Sequence, residues 1–171
     1  MIVADTGQLL RVKELRAADL LTPFAPVVIP NLVAAECVRY GIDLSAPTFD
    51  VRSEPPPDSA LALVASHVRA GLIQPAEAEA IAWAIYDRAD WLLTDDSRAR
   101  TISTGLGVEV HGSVGLILRN AQLGHIEFSR ARDLLAGLRS SNLWVSGRIL
   151  AEADSLLNAL THHGQLGEEA T

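Results

Sequence analysis

Apolar positions along this chain switch between short continuous runs and helical spacing, and the switches mark out its elements. Ile2-Val3-Ala4 is an apolar run that stops at Asp5-Thr6-Gly7 and predicts a buried strand closing in a polar turn. Val27-Val28-Ile29 repeats the pattern. Pro30 and Asn31 follow, and Asn31 reads as the N-cap of a helix from Leu32 to Tyr40 that stops at Gly41. Pro47, Pro55, Pro56 and Pro57 exclude a regular helix between Ser45 and Asp58, leaving a strand near Phe49 and then a loop. From Asp58, the positions Leu61, Leu63, Val64, Val68 and Leu72 carry roughly helical spacing, with Gly71 as the end. A second helix starts near Pro75 and runs from Ala76 to about Arg88.

The second half continues the alternation. Trp91 to Thr94 predicts a strand that stops at Asp95-Asp96, Ser97 to Thr104 a short helix, Val108 to Val110 a strand, and Gly112 to Gln122 a helix. Helices over Arg130 to Leu138 and Val145 to Leu160 follow, separated by Ser140-Ser141-Asn142. Strands alternating with helices predict an α/β domain: a mostly parallel twisted sheet with helices on both faces, extra C-terminal helices, and ligands bound outside the carboxyl ends of the strands. The expected organisation is one domain over residues 1–160, with a frayed tail over 161–171 that carries little apolar content.

Composition narrows the function classes. A chain of 171 residues with 49% hydrophobic and 20% charged positions can bury its own core, which excludes a disordered protein. Cys37 has no second cysteine to pair with, so a reducing compartment is expected. The start lacks a basic and apolar leader, and no run of about 18 apolar residues occurs. These features predict a cytoplasmic protein that does not enter a membrane. The net charge of −7 argues against holding nucleic acid by bulk positive charge. That objection weakens where acids surround bound cations, which invert the local field.

Four acidic positions fall where this topology would gather them: Asp5 at the end of the first strand, Glu36 in the helix after the second, Glu77 opening a helix, and Asp95, with Asp96 beside it, ending a later strand. Taken singly, a strand-end Asp is a turn former and a helix-opening Glu a dipole partner. Gathered at one sheet edge, they form an oxygen-rich set of the kind that hard divalent cations take. His67, His111, His125, His162 and His163 show no metal-ligand spacing, and Trp83, Trp91 and Trp144 form no base-stacking platform.

The residues themselves resemble PIN-domain nucleases. Ile2-Val3-Ala4-Asp5-Thr6, then Val27-Val28-Ile29-Pro30 followed by Glu36, resembles the opening of that family. Ala76-Glu77-Ala78-Glu79-Ala80-Ile81-Ala82 and Leu92-Leu93-Thr94-Asp95-Asp96-Ser97-Arg98-Ala99-Arg100 are similar to a bacterial and archaeal subgroup. The likeness continues through Gly112-Ser113-Val114-Gly115-Leu116-Ile117-Leu118-Arg119, Gly124-His125-Ile126 and Val145-Ser146.

The resemblance implies a Mg²⁺- or Mn²⁺-dependent ribonuclease, the toxin of a toxin–antitoxin pair of the VapBC type, working as a homodimer on RNA and held by a cognate antitoxin. It assigns Asp5, Glu36, Glu77 and Asp95 to the metal site and to catalysis, with Asp96 and Glu79 as close competitors for the last two roles. Glu77 is preferred because it shares a helix face with Ile81 and Ala84. Departures are Gly7 where a serine is frequent, Ala76 where a glycine is, and Ser97 where an arginine is; Thr6 could supply the lost hydroxyl. Arg98, Arg100 and Arg119 are candidates for RNA phosphates.

Two other readings are distinguishable. A non-catalytic binding module of this fold would lack acids, and the acids are here. A phosphoacceptor receiver would need a lysine near a strand end, whereas Lys13, the chain's one lysine, is far from any such strand.

Overall fold

The computed structural model describes residues 1–140 and 146–168. Five short strands, β1 (Ile2–Ala4), β2 (Val27–Ile29), β3 (Phe49–Val51), β4 (Trp91–Leu93) and β5 (Val110–His111), form one sheet in the order β3-β2-β1-β4-β5. Every pairing is parallel. Sheets of this kind bury both faces, which is why β1 and β2 read as continuous apolar runs; all their residues are buried.

The connecting elements are α1 (Thr6–Glu14), a 3-10 helix (Ala18–Phe24), α2 (Asn31–Arg39), α3 (Asp58–Arg69), α4 (Pro75–Tyr86) and α5 (Ser97–Gly105). From β1 the chain steps outward through β2 to β3, then returns to the other side of β1 for β4 and β5. Helix α1 packs against α2, α4 packs against α3 and α5, and α2 and α4 also touch. The strand order reverses between β1 and β4, and a sheet of this type opens a crevice at the carboxyl ends of the two strands flanking such a reversal.

Met1–Ser113 forms one compact unit and a second begins at Val114. In the second, α7 (Phe128–Ser140) packs against α8 (Gly147–Glu168), while α6 (Ser113–Gln122) starts at the last residue of the first unit. Among the described residues no helix is long and apolar enough to cross a membrane.

Several expectations shift. The polar turn expected at Asp5-Thr6-Gly7 is the start of α1, because the Asp5 carboxylate accepts from the Gln8 amide at 2.7 Å and so caps a helix. Only Leu9, Leu10 and Val12 are apolar in its first seven residues, too few to reveal a period. Asn31 is the first residue of α2 and not its cap; the buried Glu79 of α4 accepts from Leu32 N at 2.7 Å and bonds Asn31 N as well. The last strand lies two residues later than its apolar run, since Leu92 and Leu93 pair with Val110 and His111. Helix α8 spans Gly147–Glu168. The separator at Ser141-Asn142, the helix start at Val145, and Trp144 lie outside the described residues.

Glu79 thus holds α2, and with it Glu36, against α4. Removing its acceptor by Glu79→Ala is expected to lower stability by about 1–2 kcal/mol, and Glu79→Gln, which keeps a carbonyl oxygen, by clearly less. Urea unfolding of the three proteins measures the difference; equal losses would mean that the oxygen is not what caps the helix.

Candidate functional site

At the carboxyl ends of β1 and β4 a cavity of about 250 Å³ is lined by Asp5, Glu36, Glu77, Asp95 and Asp96, with Thr6 and Gln74 beside them. Four separate stretches of chain supply these acids. Asp5 follows β1 and Asp95 follows β4 by two residues; the β1–β4 register, Ala4 with Leu93, brings the two strand ends together. Glu36 comes from α2, Glu77 from the first turn of α4, and Asp96 caps α5. The sequence-derived set therefore converges on one space.

Glu79, the competitor of Glu77, goes elsewhere. It borders a separate, mainly apolar cavity of about 460 Å³ with Leu32, Leu61, Val64 and Val68. The face argument that separated the two glutamates has limited force here, because α4 buries Ala76, Ala78, Glu79, Ala80, Ile81, Ala82, Trp83 and Ala84 and so has almost no solvent face. Glu79 is the more buried of the pair, and its carboxylate is spent on the N-terminus of α2.

Each acid in the cavity is held by a donor of the chain. The Thr6 hydroxyl donates to Glu36 Oε2 at 2.5 Å, and the Gln74 amide to Glu77 Oε2 at 2.7 Å. Asp96 Oδ1 accepts from the amides of Arg98 and Ala99, both at 2.8 Å. Asp95 is held twice by one residue: Ser113 N donates to Oδ1 at 2.8 Å and Ser113 Oγ to Oδ2 at 2.5 Å. Gly112 makes the approach feasible, since a Cβ there would collide with Asp95 Oδ1. Gln8 completes the set. Its side chain is fully buried, and its Nε2 donates to Ser113 Oγ at 3.2 Å.

Sequence reasoning did not single out Gln8, Gly112 or Ser113. Ser113 lies 105 residues from Gln8 and 18 from Asp95, and no local pattern reports such contacts. Among the arginines proposed for phosphates, Arg100 donates to the Thr94 carbonyl at 3.1 Å and Arg119 donates to Gln122 in the second unit. Arg98 is exposed, and its charge draws the pKa of Glu77 down. Trp91 packs against Phe24 and His111, and Trp83 lies under the Arg52 guanidinium and meets Tyr86 edge to face.

Crowding and burial show in the protonation of the acids. Burial raises the pKa of Asp5 to about 7, and the nearby charges of Asp95 and Glu77 add to the rise, against hydrogen bonds from Thr94 and Gln8. Glu77 is raised too, first by burial and then by the charges of Asp96 and Glu36.

Carboxylate oxygen is the donor type that Mg²⁺ and Mn²⁺ prefer, so the chemistry of the set fits a hard divalent cation. Among the described residues, however, no group of three acid, histidine or cysteine side chains could hold a metal ion where it lies. As they lie, the carboxylates are bonded by donors of the chain, and a cation would have to share their oxygens with those donors.

A family model described as a PIN domain matches residues 1–159. No curated protein and no solved structure matches the chain.

The state of Asp5 gives a pH test with a definite sign. Between the unfolded pKa of 3.8 and the folded value of about 7, the native chain retains a proton that the unfolded chain has released. Stability therefore falls with rising pH across that window and the penalty is constant above it. Asp5→Asn removes the charge and keeps a capping oxygen. Without metal, this variant is expected to be more stable than the parent by on the order of 2 kcal/mol at pH 8, with the gain fading toward pH 4. Denaturant melts across pH check this, and a gain independent of pH would contradict it.

Proposed function

We propose, from the premise that this chain belongs to the PIN-domain family of nucleases, that it is a Mg²⁺- or Mn²⁺-dependent endoribonuclease with its centre in the acid cavity. The observation that carries the reading is the convergence of Asp5, Glu36, Glu77, Asp95 and Asp96 on one space at the point where the strand order reverses. A bound divalent cation would supply Lewis acidity toward a phosphodiester and water reactive at neutral pH.

The chain's own residues do the rest. Asp5 and Asp95, on adjacent strand ends, form the rigid side of the site, Asp5 fixed by its cap bond to α1 and Asp95 by Ser113. Glu36 and Glu77 approach from α2 and α4, each restrained through one oxygen by Thr6 and Gln74. A cation would meet the other oxygen of Glu77 and that of Glu36, which lies 3.9 Å from the Arg39 guanidinium. Asp96 spends one oxygen on α5 and lines the cavity. Arg98, on the exposed first turn of α5, supplies positive charge at the rim for a substrate phosphate.

The resemblance to VapC-type toxins extends the proposal to a homodimer in the cytoplasm, restrained by an antitoxin protein. Basic side chains of such a partner would suit an acidic cavity.

The test is cleavage of a labelled structured RNA by the purified protein with Mn²⁺, with EDTA, and with Asp95→Asn. Expected are cutting with Mn²⁺, none with EDTA, and a drop of about 100-fold or more in the variant at unchanged melting temperature. Cutting that survives EDTA, or a variant as active as the parent, would overturn the assignment.

A further inference from the structure

Between the two strand-end aspartates runs a chain of hydrogen bonds, buried at Gln8 and part-buried at Asp95, that extends beyond the capping bond of α1. Asp5 accepts from the backbone of Gln8; the Gln8 side chain donates to Ser113 Oγ; Ser113 donates from both N and Oγ to Asp95. We propose that Gln8 and Ser113 are positioning residues that fix the Asp95 carboxylate, in place and in rotation, relative to Asp5 for cation binding. The proposal rests on the reading of the acid cavity as a cation site.

Donor counting sets the direction of this relay. Ser113 has one hydroxyl hydrogen, and at 2.5 Å from Asp95 Oδ2 it goes to the carboxylate. The Ser113 oxygen can then only accept, so the amide of Gln8 must turn its NH₂ toward it. That orientation leaves Gln8 Oε1 buried with no hydrogen-bond partner. A buried unsatisfied carbonyl is destabilising, and a leucine of similar size at position 8 would avoid it. Glutamine is therefore a poor choice for packing alone, and a good one for presenting an N–H to Ser113.

The hold on Asp95 has a second mark of specificity. Two bonds from one residue, one to each oxygen, prevent the carboxylate from turning about its own axis, which a single bond would allow. Gly112 contributes by what it lacks, since any side chain there would push Asp95 off this geometry. With Asp95 two residues beyond β4 and Gln8 on α1, the relay also crosses from one strand's end to the helix that follows its neighbour, coupling the two aspartates that follow adjacent strands.

Groups that orient metal ligands in this way change metal affinity or activity by about 10- to 100-fold when removed. The experiment measures Mn²⁺ dissociation constants by calorimetry, together with metal-free melting temperatures, for the parent, Ser113→Ala, Ser113→Thr, Gln8→Leu and Asp95→Asn. Expected are affinities weakened about 10- to 100-fold by Ser113→Ala and measurably by Gln8→Leu, with near-parental binding in Ser113→Thr. Gln8→Leu should melt at or above the parental temperature while binding Mn²⁺ more weakly, a split that a structural role alone would not produce. If Asp95→Asn loses Mn²⁺ while Ser113→Ala and Gln8→Leu bind like the parent, the relay is wrong and the site stands. If the parent itself binds no Mn²⁺, or Asp95→Asn binds as well as the parent, the cation-site reading fails first and the relay falls with it.

Discussion

Parallel pairing of β1 with β4, with Ala4 opposite Leu93 and Asp5 N bonded to the Leu93 carbonyl at 3.1 Å, forces two chain segments to finish at the same level beside each other. Each is followed by acids, and with Asp5 buried and Asp95 half-buried neither carboxylate is surrounded by water as a surface one would be. The rest of the local structure answers that constraint. Helix α1 starts at once on Asp5 and gives its carboxylate an N–H; α5 starts on Asp96; Ser113 arrives from beyond β5 to hold Asp95. Helix starts are the natural neighbours of such a crowd, because their free amides and positive dipole ends favour negative charge.

Repulsion among the acids is reduced by these bonds and not removed. Asp5 still carries a pKa near 7, far above the usual carboxylate range, because desolvation outweighs the two hydrogen bonds it receives. A protein retaining this arrangement keeps a standing penalty at neutral pH in a place where asparagine would relieve it. Such penalties concentrate where charge is needed for binding or chemistry.

How much of this could be read from the sequence divides along the range of the interactions. The strands ending in Asp5 and Asp95, the α/β alternation and the parallel sheet were legible, because an apolar run of strand length and the polar residue ending it are adjacent in the chain. Glu77 was legible as a helix opener, but its separation from Glu79 was not, since α4 is buried on nearly every side and offers no single core face to argue from. Helix α1 was hidden by a mixture of polar residues whose burial comes from packing: Thr6, Gln8 and Arg11 are all buried. Gln8 could not be found by pattern, and Gly112 and Ser113 entered only within the run from Gly112 to Arg119 that resembles the family, with no role attached. A serine, a glutamine and a glycine at those positions look like ordinary surface or turn residues until the sheet folds and brings positions 8, 95 and 113 within hydrogen-bonding distance.

The acidic balance of the chain bears on how a nucleic acid would be taken up. Non-specific attraction to phosphate needs clustered cationic side chains, and a net charge of −7 supplies repulsion over distances longer than the cavity itself. Screening at physiological salt reduces that repulsion beyond about 8 Å, so the field that decides entry is the one inside and at the mouth of the cavity. There, carboxylates alone would turn a phosphate away, while a divalent cation among them reverses the sign locally. In the proposed nuclease a bound cation would offset the acids' repulsion of a phosphate, and a loss of geometry at Asp5 or Asp95 would weaken its hold. The arginines differ in what they could contribute: Arg100 is committed to the Thr94 carbonyl at the strand end, whereas Arg98 is exposed and close enough to influence Glu77.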